Sequence, residues 1–245
     1  MGPEEVAEWT SPGFFVPKAD GGVRLVVDFK ELNSNTVRAP HPFTAPPELK
    51  KGLLPGSGYF ITIDCSHGYY QVPLDEESSK LTTFLLPSGR YRFLRTPMGI
   101  NVSSDQFCNR SDSAFKVVPD MMKIVDDICL QGQDKAAVTP IFRLCLEQAR
   151  KQKIKLSKEK LHHGESVKFA GYIISKAGLL PDPSKVAGIK DFPVPTNVTT
   201  LRSFLGLAQQ LAFFLPDLAH MTEDLRQLLK KDITFVWLPC HQASF

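Results

Sequence analysis

The apolar positions of this chain change rhythm once. Up to residue 175 they gather in short runs divided by glycine, proline and aspartate; from residue 199 they recur at helical spacing. Residues 23–29 (VRLVVDF), after the turn Asp20-Gly21-Gly22, predict a strand. The proline-rich stretch 40–47 excludes helix and central strand, so it predicts a crossing segment. Residues 59–65 (YFITIDC) are rich in β-branched and aromatic types and predict a second strand. Residues 122–131 (MKIVDDICLQ) hold two short apolar runs parted by Asp126 and Asp127, the pattern of a tight hairpin with the aspartates at its turn. A helix is expected over 135–153, with Pro140 in its first turn and a basic C-terminal end that suits the dipole. Residues 167–175 (VKFAGYIIS) predict one further strand, closed by Ala177-Gly178.

The tail differs. Apolar residues at 201, 204, 205, 208, 211, 212 and 215 form a helical stripe stopped by Pro216. A second helix is expected from Thr222, an N-cap followed by Glu223 and Asp224, to Lys230-Lys231. These patterns imply an α+β body followed by a helical lobe that begins near residues 179–183.

Composition narrows the picture. A chain of 245 residues is long enough for one large domain or a few small lobes sharing a core. Its 42% hydrophobic and 22% charged residues are those of a folded globular protein. The net charge of +3 suits a polyanionic partner without requiring one. Lys151, Lys153, Lys155, Lys158 and Lys160 crowd one short segment, and Arg90, Arg92 and Arg95 another; each run is equally a solvated face. The five cysteines are odd in number and lack CxxC pairs, and His162, His163 and His241 lack zinc-ligand spacing, so a reducing compartment is expected. No apolar run approaches the ~20 residues of a membrane span, and no signal-peptide core is present. The expectation is a cytoplasmic protein with no membrane partner.

The carboxylates carry the chemistry. Asp64 ends an apolar strand, where an ionised group is costly unless paired, solvated or metal-bound. If the 122–131 hairpin packs beside that strand, Asp64, Asp126 and Asp127 converge, and divalent cations are the natural compensation. Turn chemistry alone also explains an Asp-Asp pair, and strand termination explains Asp64.

Seven segments in order decide between these readings: SPGFFVPKADGGVRLVVDFKELN, YFITIDCSHGYYQVPL, YRFLRTPMGINVSSDQF, IVDDICL, LSKEKL, VKFAGYIIS and LRSFLGLAQQLAFFLPDLA. Together they resemble the reverse transcriptases of gypsy-type long-terminal-repeat retrotransposons and, more distantly, of retroviruses. The resemblance implies a right-hand polymerase: residues 1–37 and 72–102 as fingers, 38–71 and 103–176 as palm, and 177–245 as thumb with the start of a linker to RNase H. It implies an RNA- and DNA-templated DNA polymerase using two Mg2+ ions, with Mn2+ as the substitute. Its partners would be a template with primer, deoxynucleoside triphosphates, and a second copy or polyprotein neighbours (protease, RNase H, integrase), in the cytoplasm or a virus-like particle.

Residue by residue, Asp64 and Asp126 correspond to the metal ligands and Asp127 to the neighbouring carboxylate towards the primer. Lys18 and Arg24 resemble the fingers pair that grips the triphosphate, which a point charge and a guanidinium fork suit. Tyr69 takes the place of the steric gate against a 2′ hydroxyl, although Tyr70 adjoins it and pattern does not separate the two. Met98 and Gly99 resemble the lining of the nucleotide pocket. Lys160 matches the proposed proton donor to pyrophosphate, and is equally one solvated lysine among many. Residues 169–172 (FAGY) resemble the primer grip, and the helix from Leu201 resembles the thumb helix along the minor groove. Ile124 stands where the family commonly has tyrosine, two residues before the first hairpin aspartate. The chain stops where the family's linker to RNase H begins and holds no protease, RNase H or integrase motif. The expectation is therefore a polyprotein fragment, or a degenerate or co-opted remnant that binds nucleic acid. A viral RNA-dependent RNA polymerase is disfavoured by Tyr69, since ribonucleotide users need a smaller or polar residue there.

Overall fold

In the computed structural model, residues 9–17, 21–42 and 46–245 are described. Strands β1 (Ser11–Pro17) and β2 (Val23–Val27) precede helices α1 (Lys30–Ser34) and α2 (Pro46–Gly52) and strand β3 (Tyr59–Cys65). Helix α3 (Glu76–Leu81), strands β4 (Phe84–Leu86) and β5 (Gly89–Tyr91), and helix α4 (Ser103–Phe115) follow. Then come β6 (Met121–Ile124), β7 (Asp127–Gly132), α5 (Lys135–Lys151) and β8 (Leu156–Gly164). Strands β9 (Ser166–Phe169), β10 (Tyr172–Ser175) and β11 (Gly178–Pro181) lead into helices α6 (Pro183–Lys190), α7 (Val198–Gln209), α8 (Leu218–Met221), α9 (Glu223–Gln227) and α10 (Pro239–Ser244). The architecture is α+β.

The central sheet is antiparallel, in the order β6-β7-β3-β8. Side chains alternate across a strand, so Ile61, Ile63 and Cys65 of β3 share one face with Ile128 and Leu130 of β7. That face packs on α4 and α5 through Phe107, Phe115, Val138 and Cys145. Phe60 and Cys129 face the other way, onto Val167, Phe169, Tyr172 and Ile174 of the β9-β10-β11 sheet. Each such side chain fully removed from water contributes about 1.5–3 kcal/mol, so β3 and β7 are held on both sides. The same parity puts Asp64 and Asp127 on the Phe60 and Cys129 face, at the end of the strands where the cover stops.

A second sheet, β2-β1-β4-β5, pairs β1 and β4 in parallel and closes over Val27, Phe29, Leu32 and Phe84. The C-terminal helices bury Leu201, Phe204, Leu205, Leu225 and Leu228 against Phe192 and Trp237. Helix α7 starts in a capping box: Asn197 Oδ1 accepts from the Thr200 amide at 2.9 Å, and Thr200 Oγ1 accepts from the Asn197 amide at 3.2 Å.

Packing corrects several expectations. The hairpin turn lies at Val125-Asp126, not at the two aspartates, because pairing of Ile124 with Asp127 puts Asp127 in the ladder. Residues 167–175 are two strands, since Ala170-Gly171 turns the chain with Ala170 at φ 49°. The crossing ends sooner than expected, with helix α2 starting at Pro46, a first-turn position that proline tolerates. Pro140 sits in the second turn of α5 rather than the first, where it forgoes a helical hydrogen bond. In the tail, the long stripe ends at Gln209, and a short 3-10 turn carries Phe214 onto Tyr172, with ring centroids 5.9 Å apart. Thr222 also fails to cap forward: its hydroxyl donates back to the Leu218 carbonyl at 2.6 Å, and the expected helix is cut to α9, which ends at Gln227, with the short α8 just before it.

Gln131 locks the central sheet to the loop before it. Its buried amide accepts from the Leu54 amide (3.0 Å) and the Ser57 hydroxyl (3.2 Å), and donates to the Gly52 carbonyl (2.7 Å). Gln131→Leu leaves these groups unpaired and is expected to cost about 2–4 kcal/mol in urea unfolding; a loss below the error of the measurement would contradict this role.

Candidate active site

Register brings the carboxylates together. Asp64 pairs with Asp127 across β3 and β7, and β6 places Ile124 on the other side of Asp127. Val125, the first turn residue, has φ 53°, a left-handed conformation that costs a β-branched residue about 1–2 kcal/mol. Three contacts hold the turn. The Cys65 amide donates to the Asp126 carbonyl at 2.8 Å, Lys123 Nζ donates to the Val125 carbonyl at 3.2 Å, and Lys123 is ion-paired with Asp112 of α4 at 2.8 Å. Lys123, with its side chain only 8% exposed, also donates to Ser111. Lys123 and Asp112 escape sequence reasoning, because nothing near either residue marks a partner on another element.

Lys160 reaches Asp64 through an irregularity. Thr62 pairs with His162 but Asp64 pairs with Ser157, so the intervening residues of β8 bulge opposite Ile63. From that bulge, Lys160 Nζ donates to Asp64 Oδ2 at 2.8 Å. A cavity of about 310 Å3 is lined by Asp64, Asp127, Lys160, Phe169, Ala170 and Gly171. The FAGY turn and the carboxylate pair thus face one space.

Charge is in excess here. Burial raises the Asp126 carboxyl, with the Asp64 charge adding to it. Burial, then the charges of Asp126 and Asp64, push Asp127 up to about 6. The hydrogen bond to Asp64 makes Lys160 hold its proton more firmly than an ordinary lysine. Among the described residues no three acidic, histidine or cysteine side chains are close enough to cage an ion by themselves. The residues present nonetheless fit a divalent cation. The Lys160 ammonium occupies the position on Asp64 where positive charge is needed, and magnesium ordinarily takes one or two carboxylates with water and phosphate oxygens completing its shell.

The other expected residues lie around this centre. Tyr69 packs edge-on against Phe107 (6.1 Å, 86°) and lies within reach of the Asp126 charge. Gly68 permits this, because a Cβ there would come within 2.9 Å of the Phe107 ring. Tyr70 points elsewhere, stacked on Phe93 and 36% exposed. Gly99 has φ 96°, and its carbonyl accepts from Asn33 Nδ2 at 2.8 Å, while Met98 beside it is exposed. Arg24 is exposed on β2, opposite Val16, and does not line the carboxylate cavity. Lys18 lies outside the described residues. Ile124 packs into the core against the β9-β10-β11 side.

A central sheet with carboxylates at its strand ends, a smaller sheet and a helical lobe make up the right-hand polymerase fold. The solved foamy viral protease-reverse transcriptase in complex with double-stranded DNA has this fold, with a TM-score of 0.89 at 22% identity over 98% of this chain and 43% of that one. The same protein with an RNA/DNA hybrid gives 0.84 at 20% identity, over 98% and 33%. The family model for reverse transcriptase (RNA-dependent DNA polymerase) matches residues 16–174, and the chain belongs to that family. Among relatives, the retrovirus-related Pol polyprotein from transposon gypsy of Drosophila melanogaster is 32% identical over 212 residues, 84% of this chain and 20% of the polyprotein. That from transposon opus of the same fly is 30% identical over 227 residues, 91% and 22%. The chain therefore spans about a fifth of the curated relatives it matches.

The raised Asp127 carboxyl sets a pH dependence. A carboxyl whose pKa is higher in the fold than in the unfolded chain costs stability when ionised, fully so above about 6, and the cost fades as pH falls towards the ordinary carboxylate range. In metal-free buffer, Asp127→Asn is expected to melt above the parent at pH 7.5, with the gap closing near pH 4.5. A gap that widens on acidification would show the sign to be wrong.

Proposed function

We propose that this chain is the polymerase portion of a reverse transcriptase that extends a primer with deoxynucleotides on RNA or DNA. The observation that carries the reading is the Asp64–Asp127 cross-strand pair, capped by Lys160 and facing the FAGY turn, in a chain of this family. Two Mg2+ or Mn2+ ions bound at Asp64, Asp126 and Asp127 would activate the primer hydroxyl and stabilise the departing pyrophosphate. The buried sheet fixes the carboxylates before substrate arrives, and the docked Val125-Asp126 turn fixes where the primer end can lie. Lys160 keeps its proton while it sits on Asp64, so it donates only after a phosphate oxygen replaces the carboxylate. Lys18 and Arg24 would hold the triphosphate, Tyr69 would exclude a 2′ hydroxyl, and Met98-Gly99 would flank the base. Residues 1–37 and 72–102 would serve as fingers, 38–71 and 103–176 as palm, and 177–245 as thumb.

The double-stranded DNA and RNA/DNA hybrid held by the foamy viral proteins support a template–primer duplex as partner. The relatives are polyproteins, which supports neighbouring domains on one chain, and the foamy viral protease-reverse transcriptase supports a protease among them. Purified chain with Mg2+ or Mn2+ is expected to extend a primer on an RNA template. Asp126→Asn with Asp127→Asn should lower the rate by roughly 10^3-fold or more, and extension surviving that double change would end the assignment. Duplex binding with no extension under any metal would leave the non-catalytic reading in its place. Tyr69→Ala should admit ribonucleotides, measured as the ratio of dNTP to NTP incorporation; an unchanged ratio would remove Tyr69 from sugar selection.

A further inference from the structure

Arg95 from one basic run of the sequence and Lys153 and Lys155 from the other are unused by this mechanism, and the fold brings them together with Arg110. A cavity of about 590 Å3 is lined by His67, Tyr70, Arg95, Arg110, Lys153 and Lys155, and it shares no lining residue with the carboxylate cavity. Four permanent cations line it and no carboxylate does. Among the described residues none of the four forms a salt bridge, whereas Lys160 and Lys123 each do. Concave walls focus such charge, and like charges lining one cavity repel, a cost that a bound anion offsets.

The arrangement is built around Gln71. Its carbonyl accepts from Arg95 Nη1 at 3.2 Å and from Arg110 Nη1 at 3.3 Å. Its side-chain amide donates to the carbonyls of Ser66 (2.6 Å) and Lys155 (2.9 Å) and accepts from the Lys155 amide (2.8 Å). Arg110 Nη2 also donates to the Gln152 carbonyl at 3.1 Å, offsetting the negative end of α5. Ile154 is buried, so the two lysines on either side of it are carried outward.

Lys153 stands at a position where lysine is conformationally unsuited. Helix α5 ends in a Schellman motif, with the Ile154 amide bonded to the Ala149 carbonyl (2.8 Å) and the Lys153 amide to that of Arg150 (3.2 Å). The residue at its left-handed position is ordinarily glycine or asparagine. Here it is Lys153, at φ 55°. Glycine or asparagine would meet the backbone demand at lower cost, and lysine adds a cation to the cavity.

We propose that this cavity binds a polyphosphate anion, inorganic or carried by a nucleoside, at a site separate from the catalytic carboxylates. Lysine point charges and guanidinium forks suit successive phosphates, the volume is that of a small-ligand site, and the exposed Tyr70 ring offers a face for a base. The proposal does not rest on polymerase activity, so its failure and that of the catalytic reading are separable.

The test is calorimetric titration of inorganic tripolyphosphate into the purified chain in EDTA, where no metal bridges phosphate to the aspartates. One molecule is expected to bind per chain. Lys153→Gln with Lys155→Gln should weaken it about tenfold or more, while Lys160→Gln, beside Asp64, should leave it unchanged. Lys153→Gly should raise the melting temperature and weaken binding together, a combination that a purely structural lysine would not give. Equal affinity for tripolyphosphate and ATP assigns the site to the inorganic chain. A tighter grip on ATP that Tyr70→Ala abolishes assigns it to a nucleotide, and either result supports the proposal. It is overturned if tripolyphosphate shows no saturable binding, if the double variant binds like the parent, if Lys160→Gln weakens binding as much, or if only oligonucleotides bind.

Discussion

Asp64 and Asp127 face each other across two buried strands, and their repulsion has to be offset by what surrounds them. Neither can swing away, because the residues flanking them in β3 and β7 are committed to cores on both sheet faces. Burial first, and the neighbouring carboxylate charges after it, push Asp127 up to about 6 and raise Asp126 in the same direction. Lys160 supplies the local compensation, an ion pair made possible by the bulge in β8. A site that is costly without a cation, and rigid enough not to relax, is pre-organised for charge that arrives with substrate.

The turn that carries Asp126 depends on groups far from the chemistry. Val125 occupies a conformation it would not choose, and Lys123, seated on Asp112 and Ser111, ties its carbonyl to α4. Asp112 also meets His41 at 2.6 Å, while Asp105, on the same helix, holds Arg38 at 2.6 Å. The segment around Arg38 and His41 and the Val125-Asp126 turn are therefore both braced on α4. Ile124, where a tyrosine is usual, packs on the opposite face of the sheet, towards β9-β10-β11, and leaves the ladder intact.

Positive charge is treated in two ways around the central sheet. Beside the carboxylates, Lys160 and Lys123 are neutralised by specific aspartates. Around Gln71, arginines bond only to carbonyls and lysines to no acidic group among the described residues. The first arrangement offsets the carboxylate charge within its own cavity. The second is a concave surface whose lining holds four cations and no carboxylate.

The sequence alone determined the features set by local period and by motif order. β-Branched and aromatic content marked β3, two apolar runs marked the β6–β7 hairpin, end signals marked α5, helical spacing marked α7, and seven ordered segments pointed to the family and to Asp64, Asp126 and Asp127. It could not determine features that depend on packing between distant segments. The turn moved to Val125-Asp126 because burial of Ile128, Cys129 and Leu130 set the register, and the FAGY stretch became a turn because β9 and β10 pair with each other. Tyr69 and Tyr70, indistinguishable as neighbours, were parted when Phe107 took one ring and Phe93 the other. Whether a lysine in a basic run is solvated, paired or poised over a cavity is equally invisible locally. Lys160 found Asp64, while Lys153 and Lys155 met Arg95 and Arg110, because charge interactions depend on distance in space, which only the tertiary fold sets.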